Sequence, residues 1–134
     1  PGELSRLAGM DINDYKQDRM GMIREVLGKY SCVIASKDAV TMVVDPKEKE
    51  WYINTSGNDG MAVAGSGDVL AGIIGALVAQ KMTGFEAASL GVFLHGTAGD
   101  IACKVKGKYG MTAMDIVDQL PAVMGAEMGE SVRK

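Results

Sequence analysis

The segment from Gly57 to Leu70 carries the residue types that most clearly suggest chemistry. It reads Gly-Asn-Asp-Gly-Met-Ala-Val-Ala-Gly-Ser-Gly-Asp-Val-Leu, and an apolar stretch typical of a helix continues from its end. Gly65 and Gly67 allow the backbone to approach a ligand closely. The first N–H groups of a helix lack intrahelical partners and lie at the positive end of its dipole. The combination predicts a pocket for an anion such as a phosphate.

Asp68 is predicted to lie in the first helical turn, facing this pocket. A carboxylate there is badly placed to bind a phosphoryl group, but well placed to deprotonate a hydroxyl that attacks the phosphorus. The alternative is structural, since the helix dipole favours Asp at any helix N-terminus. The spacing alone leaves both interpretations open.

Two other glycine-rich loops do not match the segment. A Walker A loop needs Lys and then Ser or Thr after its second glycine, whereas Ser66 and Gly67 follow Gly65. The dinucleotide-binding pattern Gly-x-Gly-x-x-Gly fails because Leu70 stands where the third glycine belongs.

The residues before the loop predict helices and then strands, from apolar residues at helical spacing and from short apolar runs. Leu4 and Leu7 would share one side of the first helix, and Met20, Ile23 and Tyr30 would lie on the apolar face of the second. The predicted elements are a helical turn over Glu3–Ala8 closed by Gly9, a helix capped by Asp11 or Asn13 that runs to Tyr30, strands over Ser31–Ser36, Val40–Val44 and Trp51–Asn54, a turn over Asp45–Glu48, and a loop over Thr55–Gly60.

Three helices are predicted after the loop, which makes the chain α/β with helices against the faces of an open sheet. Gly72, Gly75 and Ala76 would form a stripe that lets another element approach closely. The predicted helices are Asp68–Gln80, Phe85–Lys104, and a last one capped by Thr112, with Asp115 at its third position, that runs to about Met128.

Gly57–Gln80 closely resembles the signature of the NAD(P)H-hydrate dehydratases, a branch of the ribokinase-like fold. Gly91–Asp100 is similar to the following helix of that family, and Pro1-Gly-Glu3 to the end of its Thr-Pro-His-Pro-Gly-Glu segment. Lys37-Asp-Ala-Val-Thr41 resembles its Lys-Gly-Ala-x-Thr nucleotide-binding strand pair. The resemblance implies that residues 1–134 form the C-terminal half of one ribokinase-like three-layer α/β/α domain, whose N-terminal half is absent.

The resemblance implies a metabolite-repair reaction in which hydrated NADH or NADPH, carrying a hydroxyl on its reduced nicotinamide ring, is dehydrated back to NAD(P)H. The family phosphorylates that hydroxyl with ADP in bacteria, giving AMP, or with ATP in eukaryotes, and the phosphate then leaves. Mg²⁺ is expected with the nucleotide, and no residue is assigned as its ligand. The Gly-Ser-Gly-Asp segment alone is shared with sugar and vitamin kinases of the same fold.

The resemblance also assigns roles to residues. Asp68 would be the catalytic base, and Lys37 a candidate for the nucleotide phosphates. The remaining assignments are Gly65, Ser66 and Gly67 for the transferred phosphoryl group, Lys37, Asp38, Ala39, Val40 and Thr41 along the nucleotide, Asn58, Gly60 and Met61 beside the nucleotide pocket, and Glu3 with Asp68 for the substrate.

Two departures from the family pattern qualify these roles. Asp38 stands where the family has glycine, which either weakens nucleotide binding or simply points to solvent. The family's substrate-contacting histidine would lie just before Pro1, so the sequence suggests a fragment or processed piece of a longer protein. The alternatives are a kinase of the same fold that phosphorylates a sugar or pyrimidine alcohol, and a fragment without activity of its own.

The two widely spaced cysteines match no metal or redox motif and point to a cytoplasmic protein with reduced thiols. A net charge of −3 argues against a general nucleic-acid binder, and the uncharged run Val69–Gln80 is too short to span a bilayer. A homo-oligomer is expected, because a missing half would leave strand edges exposed.

Structural roles are expected for several residues that could suggest chemistry. These are His95 as a hydrogen-bonded core or interface group, Asp100 as a surface or network residue, Lys104, Lys106 and Lys108 at a solvated helix end, and Cys32 and Cys103 as buried reduced thiols.

Overall fold

The computed structural model describes residues 1–47 and 49–131, and these form two compact units that meet in sequence at Ile53 and Asn54. The first unit contains three helices followed by strands. Its elements are α1 (Gly2–Ala8), α2 (Ile12–Gln17), α3 (Arg19–Lys29), β1 (Ile34–Ser36), β2 (Thr41–Val44) and all but the last residue of β3 (Trp51–Asn54).

The three strands form one sheet in the order β1-β2-β3. β1 and β2 are antiparallel, with Ile34 opposite Val44 and Ser36 opposite Met42. Helices α1 and α3 contact each other, and α3 contacts β1. The core of this unit is built on the fully buried residues Met22, Ile23, Val26 and Val44.

The single helix predicted up to Tyr30 is wrong, because the chain breaks at Asp18. Its φ of −146° and ψ of 72° interrupt the helix, and its carboxylate accepts from the Gly21 N–H at 2.7 Å, which caps α3. Asp11 caps α2 through the Asn13 N–H at 2.8 Å, so Asp11 and not Asn13 is the first cap. Gly9 closes α1 with φ of 71°, as predicted.

Several residues of the first unit are more exposed than the sequence indicated. Leu7 is 50% exposed although Leu4 on the same helix is buried, and Tyr30, which follows the last residue of α3, is also exposed. Strand β1 begins at Ile34, later than predicted, and Cys32 lies before it in an exposed stretch. The expectation of two buried thiols is therefore wrong, since Cys103 is only half-buried.

The second unit is helical. A short 3₁₀ helix over Asp59–Met61 interrupts the predicted loop, and three α-helices follow: α4 (Ser66–Ala79), α5 (Gly84–Lys106) and α6 (Ala113–Ser131). Helix α5 contacts both α4 and α6. The core between them includes Leu77, Leu94, Ala98 and Ile116.

A glycine on α5, and not the predicted glycines on α4, allows α4 and α5 to pack closely together. A Cβ on Gly91 would lie 2.6 Å from Cγ1 of Ile74, so only glycine permits this approach. No described atom lies within 4 Å of a Cβ placed on Gly72 or Gly75. The predicted packing role of the α4 stripe is therefore wrong for the described part of the chain.

Both long helices that follow α4 begin with a capping box. Thr83 and Glu86 cap α5, with the Thr83 N–H donating to the Glu86 carboxylate at 3.0 Å. Thr112 and Asp115 cap α6 as predicted, with the corresponding bond at 2.8 Å. None of the helices described is long and apolar enough to cross a membrane.

Candidate active site

The turn formed by Gly65, Ser66, Gly67 and Asp68, here called the glycine turn, starts helix α4. Gly65 has φ of +85°, a left-handed conformation that disfavours residues with a Cβ, and it immediately precedes the helix. Ser66 is the first helical residue, two positions earlier than predicted, and Asp68 is the third. The prediction that Asp68 lies in the first turn of a helix is confirmed.

The backbone of the glycine turn presents free N–H groups to solvent. The Ser66 N–H donates to the Val63 carbonyl at 3.2 Å and the Val69 N–H to the Gly65 carbonyl at 3.0 Å. The Gly67 and Asp68 N–H groups have no hydrogen-bond acceptor among the residues described, and both residues are exposed. The two amides at the positive end of a fourteen-residue helix suit an anion that accepts hydrogen bonds, and the Asp68 carboxylate beside them suits the removal of a proton.

Ser66 behaves differently from its neighbours, because its side chain is buried against α5. Ser66 is 4% exposed and His95 5%. The His95 Nε2 atom lies 3.0 Å from the Ser66 carbonyl oxygen and 3.3 Å from its hydroxyl. His95 is therefore a hydrogen-bonded core residue, as expected, and the Ser66 hydroxyl is directed away from the exposed amides.

The segment before the glycine turn is held by Asp100 on α5. One carboxylate oxygen of Asp100 accepts from the Gly57 N–H at 2.9 Å, and the other accepts from the Asn58 Nδ2 at 2.9 Å. Asn58 Nδ2 also donates to the Gly99 carbonyl at 3.1 Å, while its Oδ1 accepts from the Gly60 N–H at 3.0 Å. The expected network role of Asp100 is confirmed, and the Asn58 amide is already engaged within the protein.

Met61 and Gly60 are packed closely against the rest of this unit. The Met61 sulfur lies 2.2 Å from where a Cβ on Gly99 would be, so the Met61 side chain occupies the space that Gly99 leaves open. A Cβ on Gly60 would lie 3.0 Å from Cα of Lys108. Gly60 and Met61 were predicted to lie beside a nucleotide. Close packing explains why glycine and methionine stand at these positions as well as nucleotide binding does.

Two lysines at and just after the C-terminal end of α5, Lys106 and Lys108, are paired with carboxylates. Lys108 forms an ion pair with Asp59 at 2.5 Å, which raises the pKa of Lys108 and lowers the pKa of Asp59. Lys106 lies 3.6 Å from Asp115. The Lys106 and Lys108 side chains are largely exposed, so a solvated helix end is the correct interpretation of this basic cluster.

The segment predicted to bind nucleotide in the first unit, Lys37–Thr41, joins β1 to β2. Its first four residues are exposed, and Asp38 accepts from the Ala39 N–H at 2.8 Å, which lowers the pKa of its carboxyl. Asp38 therefore bonds to its own turn and is exposed, while its effect on nucleotide binding stays a prediction.

Arg19, which the sequence did not single out, fixes this turn. Its guanidinium donates to the Ser36 carbonyl at 2.6 Å, to the Ser36 hydroxyl at 3.1 Å and to the Val40 carbonyl at 2.9 Å. The guanidinium also lies 5.5 Å from the centre of the Tyr15 ring, and burial raises the pKa of that tyrosine. One side chain thus holds both ends of the turn, which no local sequence pattern reveals.

The predicted site residues therefore fall into two groups. Glu3 lies exposed in the first turn of α1, in the same unit as Lys37–Thr41. The second unit brings Asn58, Gly60 and Met61 into the segment that leads to the glycine turn. Asp68, the assigned base, lies in this second group.

A separate groove of about 360 Å³ lies between α4, α5 and α6. Its walls include Ile73, Leu77 and Leu120, and Gln80 supplies the polar side chain. Phosphate recognition needs charged or hydrogen-bonding groups, so this groove does not suit an anion.

Comparison with known proteins gives the family. The family model described as NAD(P)H-hydrate dehydratase matches residues 1–122. The chain belongs to the NAD(P)H-hydrate dehydratase family. It is 42% identical over 125 residues to the bifunctional NAD(P)H-hydrate repair enzyme Nnr of Thermofilum pendens, which covers 93% of this chain and 24% of that protein. It is also 44% identical over 101 residues to the ADP-dependent (S)-NAD(P)H-hydrate dehydratase of Neisseria meningitidis. That match covers 75% of this chain and 34% of the Neisseria protein.

Solved structures of the dehydratase family confirm the α/β, ribokinase-like fold class. The ADP/ATP-dependent NAD(P)H-hydrate dehydratase of Bacillus subtilis, co-crystallised with ATP and Mg²⁺, superposes with a TM-score of 0.85 at 26% identity. The match covers 94% of this chain and 45% of that one. The chain thus spans about a quarter of the repair enzyme from Thermofilum pendens and just under half of the solved dehydratase.

Proposed function

We propose that this chain carries the phosphoryl-transfer part of an ADP-dependent (S)-NAD(P)H-hydrate dehydratase domain, with hydrated NADH or NADPH as substrate. The observation that carries the proposal is the glycine turn, where two amides without an acceptor in the described part of the chain, together with the exposed Asp68 carboxylate, begin helix α4. Membership of the dehydratase family selects the substrate from among the alcohols that such a turn could serve.

In the proposed reaction, the Asp68 carboxylate takes the proton from the hydroxyl on the hydrated nicotinamide ring. The freed oxygen attacks the terminal phosphorus of the nucleotide, and AMP leaves when the donor is ADP. The Gly67 and Asp68 N–H groups stabilise the negative charge on the transferred group, because they are fixed before the reaction begins. Phosphate then leaves with the electrons of its C–O bond, the neighbouring ring carbon loses a proton, and the C=C bond that forms restores NAD(P)H.

The nucleotide would lie along Lys37–Thr41, with the exposed Lys37 side chain available to its phosphates. Mg²⁺ would accompany the nucleotide and neutralise part of its charge. Among the residues described, no three His, Cys, Asp or Glu side chains come together in a group able to hold a metal ion. Mg²⁺ bound mainly by phosphates and water fits this chain, because it commonly takes only one or two protein carboxylates.

The decisive experiment is incubation of the protein with hydrated NADH and ADP while the absorbance of the reduced nicotinamide is recorded. We expect Asp68→Asn to lower kcat by about 100-fold or more, as the loss of a general base does. The matched control is Asp14→Asn, since Asp14 occupies the same third position of helix α2. Equal activity of the two variants would show that Asp68 is not the base.

A kinase acting on a small alcohol is distinguished in the same assay. It would consume nucleotide and phosphorylate a sugar or pyrimidine alcohol, and the nicotinamide absorbance would not return.

A second candidate is that the chain by itself has no activity, which is favoured by its covering 34% of the Neisseria dehydratase. In that case the chain alone would leave both substrates unchanged.

A further inference from the structure

His95 lies at the junction of the glycine turn and helix α5, and the proposed reaction gives it no part. Its ring is 5% exposed, and its Nε2 atom is 3.0 Å from the Ser66 carbonyl oxygen and 3.3 Å from the Ser66 hydroxyl. The chain contains no other histidine.

The short contact determines which ring nitrogen carries a proton. A carbonyl oxygen can only accept a hydrogen bond, so Nε2 must be protonated to lie 3.0 Å from it. With its proton directed at the carbonyl, Nε2 leaves the Ser66 hydroxyl at the longer distance of 3.3 Å. The His95 ring therefore acts as a fixed donor to the backbone of the first residue of α4.

The hydrogen bond from His95 to the Ser66 carbonyl matters because of where Ser66 lies in the glycine turn. Ser66 lies between the left-handed Gly65 and the two residues whose N–H groups are unpaired, Gly67 and Asp68. Glycines on both sides leave the backbone with little stiffness of its own. A bond from the rigid helix α5 to the Ser66 carbonyl supplies the restraint that the glycines lack.

We propose that His95 is a positioning residue, which holds the glycine turn so that the Gly67 and Asp68 amides and the Asp68 carboxylate face one phosphoryl group. The inference rests on the proposed function, because it gives the restraint a purpose in phosphoryl transfer. It also assigns Ser66 a contribution through its backbone, since its hydroxyl is buried against the His95 ring.

The test compares His95→Gln, which keeps an N–H donor at a similar reach, with His95→Leu, which fills the space without one. In the dehydration assay we expect His95→Leu to lower kcat by about 100-fold, the loss typical of a small displacement of catalytic groups. The KM for ADP should change by less than kcat, and His95→Gln should recover most of the loss. Equal kcat for the wild type and His95→Leu would overturn the proposal, as would equal losses in the two variants.

A second measurement does not depend on turnover. Inorganic phosphate is titrated into the ¹⁵N-labelled chain, and the amide signals of Gly67 and Asp68 are followed by NMR. The wild type and His95→Gln should respond at these two residues, whereas His95→Leu should respond weakly or not at all. If the wild type responds but dehydrates nothing, the chain has no dehydratase activity of its own, and the phosphate titration alone decides the role of His95. If the wild type does not respond, the positioning proposal is overturned.

The wild-type ring provides a check that holds even if His95→Leu fails to fold. Because the chain has one histidine, its ring nitrogens can be assigned without ambiguity. We expect Nε2 to carry a slowly exchanging proton at neutral pH. An Nε2 without a proton, or with one that exchanges as fast as in free histidine, would overturn the proposal.

Discussion

Asp100 shows how much one carboxylate can organise on the approach to the glycine turn. Its two oxygens receive two different donors, the Gly57 N–H and the Asn58 amide, each at 2.9 Å. Both contacts join residues more than 40 positions apart in the sequence. A carboxylate suits this place because it accepts at both oxygens and donates at neither.

Asp100→Asn should therefore destabilise the protein although the side chain keeps its size. An amide has one accepting oxygen, so its NH₂ group must face either the Gly57 N–H or the Asn58 Nδ2, both of which are donors. An unsatisfied donor costs about 1–3 kcal/mol when it is fully buried, and because this site is half-buried we expect a loss of about 1 kcal/mol in the free energy of unfolding measured with urea. Asp118→Asn on the exposed side of α6 is the control and should leave stability nearly unchanged. Equal effects of the two changes would contradict the account of Asp100.

At the residue scale, the sequence predicted the groups that face solvent better than the contacts behind them. Gly65, Gly67 and Asp68 could be recognised because their spacing alone describes a helix N-terminus with an adjacent carboxylate. The bond from His95 to Ser66 spans 29 positions, and no local pattern indicates which donor meets which acceptor. Arg19 was missed for the same reason, since its contacts with Ser36 and Val40 depend on how α3 packs beside β1.

Among the helices, capping residues decided where the predictions succeeded. The cap of α6 was predicted from Thr112 and Asp115, and the structure confirms it. Thr83 and Glu86 show the same spacing, and their pattern was available in the sequence to place the start of α5. Asp18 was overlooked because the apolar spacing continues across it, although an Asp that caps one helix ends the one before.

The two capping boxes predict a loss of stability in acid. Hydrogen bonds from Thr83 lower the pKa of Glu86, and hydrogen bonds from Thr112 lower the pKa of Asp115. A carboxyl whose folded pKa is depressed stabilises the fold above its unfolded pKa and loses that effect as the pH falls through the folded value. We expect the urea midpoint to fall between about pH 5 and pH 3, and to fall less steeply in a Glu86→Gln, Asp115→Asn double variant. An unchanged slope in the double variant would exclude the caps as its cause.

On the scale of the whole molecule, the family resemblance predicted more than periodicity could. The motifs from Pro1–Glu3 to Gly91–Asp100 indicated a ribokinase-like fold, which the superposition on the Bacillus subtilis dehydratase confirms. Periodicity alone gave helices and strands without their arrangement. The extent of the domain and the roles of the site residues stay predictions.

The uncovered face of α4 gives a test at this scale. Gly72 and Gly75 lie in the interior of α4, and no described atom lies within 4 Å of a Cβ added to either. Alanine is favoured over glycine inside a helix by about 1 kcal/mol, so Gly75→Ala should raise the free energy of unfolding of this chain by up to that amount. Gly91→Ala is the contrasting variant and should destabilise, because its Cβ would lie 2.6 Å from Ile74. Destabilisation by Gly75→Ala would show that another part of the protein packs against this face.

Strand β3 gives the first unit an optical signal of its own. Trp51 is the sole tryptophan of the chain, and it lies on β3 with 37% of its surface exposed. A partly exposed indole changes its emission when its strand melts, so fluorescence follows the sheet, whereas far-ultraviolet circular dichroism is dominated by the helices. Melting curves that coincide would identify one cooperative transition, and curves that separate would identify two. The order in which the sheet of the first unit and the helices of the chain unfold can thus be observed on the unlabelled protein.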